Sequence, residues 1–342
     1  MNRDILKEAI LNHDDASLKN LIAAGADPDQ PDSFDVVPLF HAIHFGTLES
    51  LKMLLAAGAN VNHSCWQKQS PWFLAVKSRD MAKIHLLEKY HADQTIQNKH
   101  GDNALHLLAM RGDLRLFHYM IHHSPEQAIL AVNSRGNTLL HLTASWNNQL
   151  LTRICLTHTS IPIDAVNTEG ETAFLKAIKS ANIAIARILR NAGCNIKHVD
   201  NSGLNSLSAA IRYMKADSDT LELITDLLKN GTAPDQENQD KETPLWLAVK
   251  RNWHEAVKLL LEYPVDVNHA VDKKTPLVMA YLQSDIKMTA LLLTANADPN
   301  VQLDKKSLLS LAIETHQLEI AELLQSTEDH TSELQSPNTT SY

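Results

Sequence analysis

The chain has 342 residues, 44% of them apolar and 5% aromatic, with a formal net charge of −9. That is enough apolar surface for a core and excludes a disordered chain; no run of 18 apolar residues offers a membrane span, and the acidic balance argues against general nucleic-acid binding. Cys65, Cys155 and Cys194 are widely spaced without a CxxC, so neither a disulfide framework nor a zinc site is indicated, and Met1–Asp4 leads into a polar amphipathic segment rather than a signal-peptide core.

The length suggests two or three domains, but the chain is self-similar throughout. A short apolar helix start recurs at Val37–Ala42, Ser70–Ala75, Asn103–Leu108, Thr138–Thr143, Thr172–Ala177, Asn205–Ala210, Thr243–Ala248, Thr275–Ala280 and Ser307–Ala312. Its last position advances by 33, 33, 35, 34, 33, 38, 32 and 32 residues, and Ala9, 33 residues before Ala42, adds a degenerate first unit to make ten. Each unit opens with a polar turn, often with Gly fourth (Gly101, Gly136, Gly170, Gly203), which permits a positive φ. Ser or Thr then caps a helix whose first turn tolerates Pro. A break follows about eight residues later, as at Gly46, Gly112, Asn147 and Asn252. A second apolar-periodic helix ends in pairs such as Leu54-Leu55 and Leu260-Leu261. The unit closes with turns such as Ala-Gly-Ala-Asn-Val-Asn at 57–62.

This grammar resembles the ankyrin repeat, with its T-P-L-H-x-A helix start and G-A-D-x-N closing turn. The resemblance covers residues 1–326. It implies an all-α repeat solenoid in which each unit is a helix-turn-helix pair plus a β-hairpin-like finger, stacked into a curved rod. The motif's His survives only as His106 and His141, and Pro264 replaces the closing Gly of repeat 8. Polar faces at both ends (Lys7 and Glu8; Glu319 and Glu322) read as capping units. Trp72, at a core Leu position, is expected in the core. The insertions in repeat 4 (His122–Glu126) and repeat 7 (Arg212–Asp219) read as tolerated loops. Residues 327–342, polar and Ser/Thr-rich, read as a disordered tail.

No nucleophile–base set, phosphate loop or H-E-x-x-H motif is present, so no enzyme and no cofactor is expected. His118 and His122 lie four apart on one expected helix, but no third or fourth ligand accompanies them, and no metal is expected. Cys155 and Cys194 read as buried thiols, whereas Cys65 sits in a turn beside Trp66.

The resemblance implies that partners dock on the fingers and on the last residues of each first helix, lining a concave face. Of fourteen such helix-end positions in repeats 2–8, Lys77, Arg111, Lys179, Arg212, Lys250 and Arg251 are basic and none is acidic, where random draw from 31 basic residues in 342 gives about one. Finger acids Glu169, Glu171, Asp240 and Glu242 are expected to neutralise the later cations. The candidate partner-binding residues are therefore Phe34, Phe45, Trp66, Lys77, Lys99, Arg111, Arg135 and Trp146, in repeats 2–5. The expected function is a monomeric, cytoplasmic, non-enzymatic scaffold that binds a protein with an acidic or amphipathic segment. The alternative is a binder of single-stranded nucleic acid or a phosphorylated ligand along the same stripe. Residues 327–342 also resemble the C-terminal secretion signals of effectors from intracellular bacteria, which implies delivery into a host cell.

Overall fold

The computed structural model describes residues 4–65, 68–158 and 160–335, the last eight by backbone alone. The chain forms two compact units, Met1–Thr168 and Glu169–Tyr342. Among the described residues each unit holds five helix pairs. Unit 1 contains α1 (Ile5–Leu11), α2 (Asp15–Ala23), α3 (Pro38–His44), α4 (Leu48–Ala56), α5 (Pro71–Ser78), α6 (Met81–Lys89), α7 (Ala104–Arg111), α8 (Leu114–His123), the short α9 (Glu126–Leu130), α10 (Leu139–Ser145) and α11 (Gln149–Thr157). Unit 2 contains α12 (Ala173–Lys179), α13 (Ile183–Asn191), α14 (Ser206–Tyr213), α15 (Ser218–Lys229), α16 (Pro244–Lys250), α17 (His254–Leu260), α18 (Pro276–Leu282), α19 (Ile286–Thr294), β1 (Gln302–Leu303), β2 (Lys306–Ser307), α20 (Leu308–Glu314) and α21 (Leu318–Gln335). The architecture is an all-α repeat solenoid.

The helix starts follow from local chemistry. Ser70, Thr172, Thr243, Thr275 and Ser307 each accept the third helical N–H, a cap worth about 1 kcal/mol. Pro38, Pro71, Pro244 and Pro276 fill the first helical position, where a missing N–H costs nothing. First helices stop where the backbone turns left-handed, at Gly112, Asn147 and Asn252. Gly46, just after the end of α3, is required for a different reason, because a Cβ there would meet the Cα of Ala42 at 2.8 Å and Ile10 at 2.9 Å.

First helices pack on first helices and second on second: α1, α3, α5, α7 and α10 form one row of unit 1, and α12, α14, α16, α18 and α20 form one row of unit 2. Their facing sides are the core, which holds Trp72 as expected, with Phe117 and Phe174. The fingers are mostly turns rather than strands. Only β1 and β2 pair as a named hairpin among the described residues, and Val199–Asn205 and Val271–Lys274 form single bridges.

Both insertions are built into the structure. The repeat 4 insertion leads into α9, which buries Ala128 and Ile129, and the Asn103 amide donates to the Ala128 carbonyl at 2.7 Å. The repeat 7 insertion buries Met214, whose carbonyl accepts from Arg251 at 2.9 Å. The helix α21 runs on to Gln335, so the boundary expected at Ser326 falls inside a helix.

Candidate functional site

The fingers project side chains because an Asp or Asn folds each turn onto itself. Asp32 accepts the amides of Phe34 and Val36, Asn98 those of His100 and Asp102, and Asn133 those of Arg135 and Asn137, all at 2.8–3.1 Å. The residues between these anchors point outward: Phe34, Lys99, His100 and Arg135 are exposed. Neighbouring fingers are stitched through the backbone, with the Ser134 amide donating to His100 at 3.0 Å and the Thr168 amide to Arg135 at 2.9 Å. Lys99 and Arg135 therefore ride on adjacent rungs. Phe34 is 76% exposed, with the Lys7 ammonium 4.5 Å from its ring centroid and held there by Asp32 at 2.9 Å. Trp66 lies outside the described residues.

The helix ends supply the second row. Phe45 and Trp146 end α3 and α10 and are 58% and 59% exposed. Arg111 ends α7 and donates to the Lys77 carbonyl at 3.0 Å, which sets two cations on successive rungs. Among the described residues, no carboxylate lies within ion-pair distance of Lys77, Arg111 or Arg135. Sequence reasoning missed Lys83, whose buried ammonium donates to the carbonyls of Ala42, Ile43 and Gly46 at 3.1, 2.8 and 3.1 Å and so caps the end of α3 that presents Phe45. Its period-correct place on an otherwise apolar face was the available signal. Burial, then the charges of Lys77 and Lys83, hold His44 below its ordinary pKa.

Unit 2 uses the same positions differently. Glu171, just before the cap of α12, reaches Lys176 and, eight residues on, Lys179, each at 2.7 Å, and Asp200 meets Lys179 at 2.8 Å. Glu242 repeats the reach, to Lys250 at 2.9 Å and Arg212 at 3.3 Å. Burial acts to raise Glu242 and Asp200, but bonds from Lys250 and Asn238, and from Lys179 and Ser202, outweigh it and hold both carboxyls below their ordinary range. Arg251 departs from expectation: it donates to the carbonyls of Ile211 and Met214, and Asp240 takes no part in these pairs.

Among the described residues no group of three His, Cys, Asp or Glu side chains could hold a metal, and the His118 and His122 rings meet edge to face at 4.9 Å. Burial raises the pKa of the Cys65 thiol, away from nucleophilic reactivity. No helix among the described residues is long and apolar enough to cross a membrane.

The model of the family described as ankyrin repeats matches residues 6–98 and 207–303, together just over half of the chain. The chain belongs to the ankyrin repeat family. An ankyrin repeat protein of Acanthamoeba polyphaga mimivirus is 24% identical over 212 residues, 60% of this chain and 27% of that protein. The human SH3 and multiple ankyrin repeat domains protein 2 is 27% identical over 54% of this chain and 8% of that protein. An ankyrin repeat protein of Rickettsia felis is 25% identical over 59% of this chain and 50% of that protein. The chain thus spans half or less of the length of these curated relatives. The human ASB11 ankyrin repeat domain shares the fold, with a TM-score of 0.52 and 22% identity over 65% of this chain and 96% of that domain. Ankyrin repeats are generally non-catalytic protein–protein interaction modules, and among the described residues the helix-end cations Lys77 and Arg111 of this ankyrin array are without an ion pair, whereas Lys179, Arg212 and Lys250 have one.

Proposed function

We propose that this ankyrin array is a non-enzymatic scaffold that binds a protein through the finger and helix-end rows of unit 1, and that the partner presents an acidic or amphipathic segment. The observation that carries this reading is the contrast in charge commitment. Among the described residues, Lys77, Arg111 and Arg135 have no carboxylate within ion-pair distance, whereas Lys179, Arg212 and Lys250 are already paired. Unpaired cations in the same unit as exposed Phe34, Phe45 and Trp146 favour both fast encounter and anchoring. Lys99 and Trp66 complete the set named from sequence. Affinity purification of a partner with wild-type protein, followed by titration of Arg111→Glu and Trp146→Ala, tests the placement: each is expected to weaken binding about tenfold or more, and unchanged affinity in both refutes it. A salt titration separates a protein partner from single-stranded nucleic acid, whose binding falls steeply with salt.

The relatives from a Rickettsia and a giant virus support a second reading, in which the chain is an effector delivered into a host cell. A translocation assay with residues 327–342 deleted tests it; undiminished delivery removes the tail from the mechanism.

A further inference from the structure

We infer that an apolar ladder along the interhelix turns of unit 1 is the docking rail for an acidic amphipathic helix of the partner protein. This rests on the reading that unit 1 binds a protein, and it adds where the apolar face of that partner lies. Four rungs come from the first turns of the second helices: Leu48, Met81 and Leu114 open α4, α6 and α8, and Leu150 follows Gln149 as the second residue of α11. Phe45 and Trp146, one short turn upstream, complete the outer rungs. All six side chains are exposed. Helix starts fix them there, because Thr47, Asp80 and Asp113 cap the following amides and turn the next residue off the packed face. Unit 2 keeps part of the same pattern, with Ile183, Ile286 and Leu318 at the helix start, but Ser218 and His254 interrupt it, so the unbroken run belongs to unit 1.

Spacing and charge select the occupant. Packed helices lie about 8–10 Å apart, and seven residues of α-helix advance about 10.5 Å. A partner helix laid along the ladder therefore sets one residue in seven on each rung, and three intervals take about 21 residues. The charge left over on this edge is positive. Asp113 is bound by the Arg79 guanidinium at 2.7 Å and by the Leu116 amide, and Asp80 by the Ala82 and Lys83 amides. Lys77, Arg111 and Arg115 have no carboxylate within ion-pair distance among the described residues. A second copy of this edge would bring cations against cations, whereas a helix with Glu beside its apolar seam meets both features.

The probe is a synthetic helical peptide of four heptads with Leu at every seventh residue and Glu beside it, read by fluorescence anisotropy. Controls are its scrambled isomer and the same peptide with Lys for Glu. The Leu/Glu peptide is expected to bind and the two controls to fail. The double variant Leu48→Ser/Leu114→Ser, exposed positions whose fold is checked by circular dichroism, is expected to weaken binding at least tenfold. Equal binding of the scrambled peptide, or a double variant that binds like wild type, overturns the rail. If Arg111→Glu weakens binding while the double variant does not, the rail fails and the basic-row reading stands; if neither has an effect, both fail. Sedimentation that shows self-association lost in the double variant overturns the proposal in favour of a second copy. Binding to phosphatidylserine vesicles lost in the same variant overturns it in favour of a membrane surface.

Discussion

The two units use one repeat plan and dispose of their charge in opposite ways. The residue just before the first-helix cap faces the residue eight positions later. In unit 2 this pair is Glu171 with Lys179 and Glu242 with Lys250, and the last repeat inverts it, with Lys306 bonding Glu314 at 2.6 and 2.8 Å. In unit 1 the corresponding first members are Val36, Gln69, Asp102 and Asn137. None is a glutamate. Asp102 is one methylene shorter and accepts from Asn133 at 3.0 Å. At this spacing Lys77, eight residues after Gln69, is the unit 1 counterpart of Lys179 and Lys250, and the side chain before the cap decides whether that cation is committed internally or left for a partner. Desolvating a cation already paired to a buried carboxylate gains a partner little, whereas an unpaired one keeps its full long-range field.

The contrast breaks most visibly if the backbone under the unit 1 surface is loosened. Lys83→Met leaves the Ala42, Ile43 and Gly46 carbonyls without the ammonium that caps them. Buried carbonyls that lose a donor cost about 1–3 kcal/mol, and with three sharing one cap the expected loss is about 2–3 kcal/mol. Hydrogen exchange should show it as faster exchange in α3 and α4, because repeat arrays open locally rather than all at once. Unchanged protection there would mean that water replaces the cap.

Glu242→Ala comes next. It removes the shared acceptor of Lys250, Arg212 and Asn238. Breaking a fully buried pair costs about 3–5 kcal/mol, but both cations are partly exposed and can rehydrate, so about 1–2 kcal/mol is expected. The same change should give unit 2 the open basic row that unit 1 has by nature. Denaturation reads the first effect. A rise in the association rate of the acidic heptad peptide with unit 2 reads the second, and no rise would show that position before the cap is not the control.

Much of this was legible in the residues. Ten repeats, their caps and the buried Trp72 follow from spacing and from side chains that bond their own backbone, which are local rules. The pairing of unit 2 cations with finger acids was also legible in outline. What stayed hidden depends on neighbours across repeats. Arg251 looked like a partner for an acid and instead bonds two carbonyls of the preceding repeat, 37 and 40 residues away. Lys83 reaches back 37–41 residues in the same way. The apolar rail was missed because its members are one per repeat and read singly as ordinary helix-start residues.

A milder way to sharpen the comparison is pH. In unit 1, His44 and His106 have pKa values lowered by burial, most directly in His106, so the unfolded chain binds protons they refuse when folded. Stability from keeping them neutral is complete above their ordinary value of 6.5 and is lost as pH falls below it toward the folded pKa. In unit 2 the lowered groups are carboxylates, Asp200, Asp217, Glu242 and Asp285, whose contribution holds down to their ordinary values of 3.8 and 4.5 and is lost below them. Hydrogen exchange, corrected for its intrinsic pH dependence, should therefore show α3 and α7 loosening between neutral pH and about pH 5.5, with α14 and α16 unchanged until the carboxylates titrate. Loosening of both units together would show that the histidines do not set the difference.

The smallest expected change in stability is the most direct test of the rule itself. Gln69 precedes the cap of α5, and Lys77 lies eight residues on, the spacing that joins Glu171 to Lys179. Gln69→Glu should close that pair in unit 1. Both side chains are partly exposed, so the gain in stability is only a few tenths of a kcal/mol, close to the limit of a denaturation experiment. Binding is the sensitive readout. Removing one uncommitted cation from the row should slow association with the acidic heptad peptide several-fold at low salt and flatten its salt dependence, while dissociation changes little, since long-range charge acts on encounter more than on residence. The converse substitution, Glu171→Gln, should leave Lys179 held by Asp200 alone at 2.8 Å and so change association with unit 2 far less. If Gln69→Glu slows dissociation or leaves association untouched, Lys77 is not part of the encounter surface, and the basic row must be redrawn around Arg111 and Arg135.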